Sequence, residues 1–205
     1  MEATTASAEH SHGDHRGHPI EAHHSSTVNR EKFGMLIFIF TEIMLFGSFF
    51  MAYFFIRVSN GAPWMPEGQE LPVQIAAFNT IILFSSSMTL HWALHGIRTN
   101  NRSALKAGLI MTIALGACFL GVQINEYAHL GFAPAASAQA SVFYSLTGIH
   151  GAHVLVGLII LCVVLNRALK GHYSSEQHWG VEVPGIYWHF VDVMWFFVFT
   201  TLYVL

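Results

Sequence analysis

The sequence predicts an all-α integral membrane bundle of five transmembrane helices, preceded by a disordered His-rich N-terminal tail. Three observations carry this. First, 10% of the 205 residues are charged against 53% hydrophobic, and the mean hydropathy is +0.47. A soluble globular domain usually carries about 25% charged residues, so there is too little charge here to cover a water-facing surface. Second, from Phe33 onward long apolar runs alternate with short polar joins; about 20 residues span a bilayer, and a helix satisfies its own backbone there. Third, these runs are apolar nearly all round rather than on one face, which for most of a small chain means lipid. The formal charge of −3 comes with no basic patch that would suit nucleic acid.

In chain order, residues 1–32 form a low-complexity segment with histidines at His10, His12, His15, His18, His23 and His24. Its composition cannot pack a core, so it reads as a disordered tail, with metal binding by the His-rich tract as the alternative. Its polarity also leaves no visible cleavable signal peptide. Residues 33–205 form the bundle, with approximate spans 33–57, 74–97, 105–127, 141–166 and 185–205. Between the first two lies "SNGAPWMPEGQELPV", whose Trp64 and prolines suit a rigid cap at the headgroup level. Cys118 and Cys162 lie inside apolar runs without CxxC spacing and read as small buried hydrophobes.

Orientation follows from the lysines and arginines. The tail (Arg16, Arg30, Lys32), the join after the second span (Arg98, Arg102, Lys106) and the join after the fourth (Arg167, Lys170) hold all of them except Arg57. The positive-inside rule then puts the N-terminus in the cytoplasm and the C-terminus outside.

Polar groups within the spans are functional candidates, and depth sorts them. At about 1.5 Å of rise per residue, His189, His91, Asp192 and Glu42 lie roughly 6, 9, 10 and 14 Å from the inner face. His153, His150 and Glu126 lie roughly 20, 24 and 30 Å from it, which gives an inner and an outer polar level. His189 and Asp192, at i and i+3, share a face of the last helix. Tyr187, Trp188 and Trp195 are near enough in sequence to donate hydrogen bonds to them. The pair reads as a clamp between helices, with a metal or proton site as the sharper alternative. Interhelical polar contacts contribute only about 1 kcal/mol each, but they fix rotation and register.

His150 and His153 in "TGIHGAHVLVG" repeat the i, i+3 spacing. Two histidines make a poor metal site, because zinc and iron want three or four ligands. Gly148, Gly151 and Gly157 instead suggest close helix approach, with both histidines bonding across it. His91 and His95 raise a membrane di-iron hydroxylase or desaturase as a remote alternative. His95 and His150 differ in depth by more than roughly 15 Å, however, and no HxxHH run is present. Ser85, Ser86 and Ser87 raise an intramembrane serine protease, but no GxSxG-type elbow surrounds them. Serines in membrane helices more often bond their own backbone. Glu42 has no cation near it in sequence; its apolar setting penalises the charged carboxylate unless a partner on another helix holds it. It reads as a proton-linked or lipid-contacting carboxyl group, or as a helix–helix hydrogen bond.

Several motifs then agree in order. "YWHFVDVMWFFVFTTLYVL" closely resembles the C-terminal helix of subunit III of the heme-copper oxidases, and "VFYSLTGIHGAHVLVGL" the penultimate one. "TEIMLFGSFFMAYFF" resembles the helix carrying that family's intramembrane glutamate, and "FLGVQINEYAHL" the helix ending in Glu-Tyr, here Glu126 and Tyr127. The resemblance covers essentially residues 33–205 and implies a non-catalytic accessory subunit of a proton-pumping terminal respiratory oxidase. Heme and copper are then expected in partner subunits I and II, with none bound here. The implied roles are stabilising the catalytic subunit, binding phospholipid and supporting proton uptake. Glu42 matches the glutamate that hydrophobic carbodiimides attack, while Glu126, His150, His153, His189 and Asp192 are expected to form structural polar contacts. Seven-helix members have two further N-terminal helices that form a lipid cleft with the other five; here a His-rich tail precedes the five. "GHYSSEQHWGVEVPGIYWHFVDV" and "APWMPEG" look more like bacterial cytochrome c oxidases, including cyanobacterial ones, than quinol oxidases. Cytochrome c is thus the expected electron donor of the complex, with quinol as the alternative. The bacterial inner membrane is the expected location, or the thylakoid membrane if the source is cyanobacterial.

Overall fold

The computed structural model describes residues 30–60, 71–174 and 178–205. These form five long helices: α1 (Arg30–Asn60), α2 (Val73–Arg98), α3 (Arg102–His129), α4 (Ala138–Leu169) and α5 (Trp179–Phe199). A π-helical turn, Thr200–Val204, continues α5. All five are long and apolar enough to cross a membrane. Most of the tail, with its histidines, lies outside the described residues, as does most of the loop carrying Trp64.

Each helix is longer than its apolar run. Residues 30–32, expected in the tail, already belong to α1, and α5 starts at Trp179 rather than near 185. The difference has a local cause. Hydropathy registers only the apolar stretch, while the polar ends of the helices are held by backbone geometry and ion pairs. α2 turns into α3 through Thr99–Asn101. Asn100 takes φ 58°, and the amides of Asn100 and Asn101 donate to the carbonyls of Ile97 and Gly96. Asn101 then caps α3, its side chain accepting from the Ala104 amide at 3.0 Å. α4 is capped by Ser137, which accepts from Ala140, and ends at Gly171 (φ 78°) with the paired carbonyl bonds of a Schellman motif.

α2, α3, α4 and α5 form a closed ring in which each packs on its two neighbours, and α1 lies outside against α4 and α5. Without a hydrophobic drive between helices in lipid, close approach depends on small residues and shape. At the α2–α3 crossing a Cβ on Gly108 would sit 2.6 Å from the Ala93 Cβ and 2.9 Å from the Thr89 carbonyl oxygen. At the centre, the fully buried Trp188 of α5 fills a slot between Gly116 of α3 and Gly157 of α4. A Cβ at either glycine would fall within 3.0 Å of its ring. The outer surface is the apolar one: Phe40, Met44, Met51 and Phe55 of α1 all face outward, and among its described side chains α1 buries only Phe46 and Tyr53 completely. Cys118 and Cys162, expected to be buried, are exposed on this surface. In a membrane bundle an apolar residue is as well accommodated by lipid as by the core, so hydropathy does not separate the two.

Replacing Gly108 by valine should push α2 from α3, because the obstructing atoms are backbone and Cβ rather than flexible side-chain ends. The expected cost is about 1–3 kcal/mol, read as a lower thermal-denaturation midpoint of the detergent-purified protein. An unchanged midpoint would show that the two helices are not in the contact described.

Candidate functional site

The polar side chains within the helices gather into separate contacts, each joining two or more helices. At the end of the bundle where α1 and α5 begin, Glu182 of α5 is buried and receives three partners. The Lys32 Nζ of α1 lies 2.7 Å away, the Arg98 Nη2 of α2 2.7 Å and the His178 Nε2 3.2 Å. Lys32 also sits over the Trp179 ring, 4.6 Å from its centroid. This cluster ties α1, α2 and α5 together at one level. Sequence reasoning passed over Glu182 because it stands before the apolar run. The available signal was an acidic residue on the side of the membrane where the cations gather.

His189 and Asp192 meet at Ser87 of α2. The Ser87 hydroxyl donates to Asp192 Oδ2 and lies 2.9 Å from His189 Nδ1. A serine has one proton to give, so with an ionised Asp192 the His189 Nδ1–H donates to Ser87, and with a protonated Asp192 both bonds reverse. Either way the three groups form a directed chain between α5 and α2. Ser85 and Ser86 bond their own backbone as expected for membrane serines, whereas Ser87 reaches across. The aromatic donors expected to join His189 and Asp192 go elsewhere. Trp188 Nε1 donates to Ser86 Oγ at 3.0 Å, Trp195 Nε1 to Thr80 Oγ1 at 2.9 Å and the Tyr187 hydroxyl to the His153 carbonyl at 3.2 Å.

Glu42 has a partner that the depth argument had assigned to the other level. Its Oε2 lies 2.9 Å from His153 Nε2. The two were separated by roughly 6 Å on a scale of 1.5 Å per residue, which ignores helix tilt and the combined reach of two side chains. There is therefore no clean division into inner and outer levels. The protonation of the pair is constrained. His153 Nδ1 lies 2.8 Å from the Ile149 carbonyl, which can only accept, so Nδ1 carries a proton. Nε2 then either donates from an imidazolium to a carboxylate or accepts from a protonated carboxyl. Both forms hold the same protons, and the pair is electrically neutral in each.

Towards the opposite end, Glu126 Oε1 accepts from the Tyr203 hydroxyl at 2.8 Å, joining α3 to the π-helical turn. Arg57 donates to the Tyr53 hydroxyl and to the Leu205 carbonyl, fastening the end of α1 to the end of the chain. His150 does not bond across a close helix approach as expected. Gly148 and Gly151 border a groove instead, with no other helix within 3.7 Å of a Cβ built on either. Only Gly157 of the three makes the tight approach expected of it. His150 and His153 face different neighbours, and no group of three or more His, Cys, Asp or Glu side chains able to hold a metal occurs among the described residues.

These features define a class: a multi-pass membrane protein whose buried polar groups serve helix–helix contacts. Comparison with known proteins gives the family. Residues 14–205 match the family described as cytochrome c oxidase subunit III. The chain is 39% identical over 173 residues to cytochrome c oxidase subunit 3 of Thermostichus vulcanus, covering 84% of this chain and 86% of that one. It is 42% identical over 178 residues to the Drosophila melanogaster protein of the same description, covering 84% and 68%. Against that of Equus caballus it is 35% identical over 191 residues, covering 90% and 73%. The chain belongs to the cytochrome c oxidase subunit III family. Membership implies assembly with the other subunits of a respiratory oxidase.

Replacing Glu182 by glutamine removes the charge shared by Lys32 and Arg98. Both cations are partly exposed, at 36% and 56% of the side chain, which limits the loss. A destabilisation of about 1–2 kcal/mol is expected, measured as a lower midpoint for thermal loss of this subunit from the detergent-purified oxidase. Glu182→Asp should recover part of it.

Proposed function

We propose that this chain is a non-catalytic accessory subunit III of a proton-pumping terminal oxidase of the cytochrome c type. It would stabilise the catalytic subunit I, assemble with subunits I and II and bind phospholipid on its apolar faces. The observation that carries this reading is the use made of the buried carboxyl groups. Glu42, Glu126, Glu182 and Asp192 each accept a bond from, or pair with, a side chain of another helix. Of the four, Glu126 also borders an open-sided cavity of about 410 Å³, with Asn125 and His129. The wide apolar surface of α1 supports coverage by lipid or by sibling subunits. A role in proton uptake, an N-terminus in the cytoplasm and a bacterial inner-membrane or thylakoid location belong to the same reading. The charge distribution and the family support them.

The donor assignment rests on the family description and the relatives named above. Purified complex containing this chain should oxidise reduced cytochrome c and co-purify with the two larger oxidase subunits. Oxidation of quinol without cytochrome c would overturn the donor assignment, and purification without a subunit I partner would overturn the accessory role.

Glu42 is proposed as the carbodiimide-reactive carboxyl. That chemistry needs a protonated acid in an apolar setting, one of the two forms open to the Glu42–His153 pair. Glu42→Gln should leave the complex assembled and abolish labelling of this subunit by a hydrophobic carbodiimide. Labelling that persists at full strength would point to a different carboxyl, with Asp192 the next to test.

A further inference from the structure

The Ser87 hydroxyl of α2 stands between two groups of α5 that can each gain or lose a proton. It lies 2.9 Å from His189 Nδ1 and is bonded to Asp192 Oδ2. This is not the order of a serine nucleophile, in which the imidazole stands between hydroxyl and carboxylate; here the serine is the middle member. The two outer members differ in access: Asp192 is 2% exposed, whereas His189 is only partly buried. His91, exposed one turn after Ser87 on α2, is the other titratable group whose charge reaches His189. The other helices packed on α5 are α1 and α4, and their Glu42 and His153 are bonded to each other.

A tie between α2 and α5 does not by itself call for ionisable groups. The same two helices are already joined by neutral contacts, Trp188 Nε1 to Ser86 Oγ at 3.0 Å and Trp195 Nε1 to Thr80 Oγ1 at 2.9 Å. An imidazole and a carboxyl group within a membrane helix are costly by comparison, and such residues commonly mark proton or ion traffic.

We infer that His189, Ser87 and Asp192 form a proton relay, which carries protons between the partly exposed imidazole and the buried carboxyl group. With Asp192 ionised, His189 Nδ1–H donates to Ser87 and Ser87 donates to Asp192. A proton arriving at His189 Nε2, the ring nitrogen that Ser87 does not engage, makes an imidazolium. The Nδ1 proton then passes to Ser87 Oγ as the original hydroxyl proton passes to Asp192 Oδ2. The products are an imidazole protonated at Nε2, a serine and a carboxylic acid, all neutral. No proton is gained or lost in the transfer, and the charges of imidazolium and carboxylate cancel. Both hydrogen bonds persist with their directions reversed, so no contact between the helices has to break. The relay does not depend on the proton-uptake role proposed above, because it concerns protons reaching Asp192, whatever consumes them.

The test is infrared spectroscopy of the detergent-purified oxidase after transfer from light to heavy water. The carbonyl stretch of a protonated carboxyl group shifts when its proton is replaced by deuterium, and the band of Asp192 is the one missing from Asp192→Asn. Ser87→Ala should slow that shift by roughly tenfold or more, because a methyl group cannot pass a proton. A purely structural tie predicts the reverse, since loosening α2 from α5 admits solvent and speeds exchange. An unchanged or faster shift in Ser87→Ala therefore overturns the relay. So does a wild-type protein with no carboxyl band from Asp192 at any pH. Ser87→Thr, which keeps the hydroxyl, should exchange at the wild-type rate. Should Ser87→Ala fail to assemble, His189→Gln decides on the same readout, with the same slowing expected.

Discussion

The indole of Trp188 is where α5 meets the other three helices of the ring, and the arrangement of the rest follows from it. Its ring occupies the space that side chains at Gly116 and Gly157 would need, and its N–H ends on Ser86 of α2. One residue therefore sets the distance of α5 from α3 and α4 and its rotation against α2. With Trp188 seated inward, Tyr187 and His189 on either side of it are turned towards different neighbours. Tyr187 reaches the His153 carbonyl on α4, and His189 reaches Ser87 on α2. Asp192, one turn on, comes to Ser87 as well. The polar chemistry of α5 is thus a consequence of how a large aromatic fits between two glycines.

The polar contacts share a second constraint: inside the membrane, charge must be cancelled locally. Glu42 and His153 meet this as a pair that is neutral in either of its two protonation arrangements. Glu182 meets it near the start of α5, where the partly exposed Lys32 and Arg98 place their charged groups against a buried carboxylate. Glu126, bonded to a phenol rather than a cation, is neutral when protonated. These contacts fasten α1 and the end of α5 to the ring, where apolar packing alone would distinguish poorly between a neighbouring helix and a lipid tail.

Much of this was legible in the residues. Five long apolar runs and their order are a matter of composition and length, and the bundle has those five helices. The pairing of helices was not legible, because residues apolar all round carry no mark of which side faces in. The outward-facing cysteines are an instance. The same blindness hid the partners of the polar groups. Rise per residue placed His189 and Asp192 in one polar level, and the structure puts them on one hydroxyl. The same measure separated Glu42 from His153, which lie on helices 111 positions apart in sequence and touch. Ser87 looked like one of three equivalent serines, and only the rotation imposed by Trp188 singles it out.

Glu182 shows where a different reading of the same residues would have gone further. "HWGVEVPGI" contains a proline and a glycine pair and resembles a loop by composition. Yet Pro184 is the sixth residue of α5, beyond the four amides that need no intrahelical partner, and the helix runs through it at the cost of the bond to the Gly180 carbonyl. Once the helix is extended back to Trp179, Glu182 falls in its first turn and on the face that looks towards α1 and α2. A carboxylate there is favoured by the positive end of the helix dipole as well as by the two cations. The ionic tie among α1, α2 and α5 is therefore the result of a helix start that hydropathy alone does not locate.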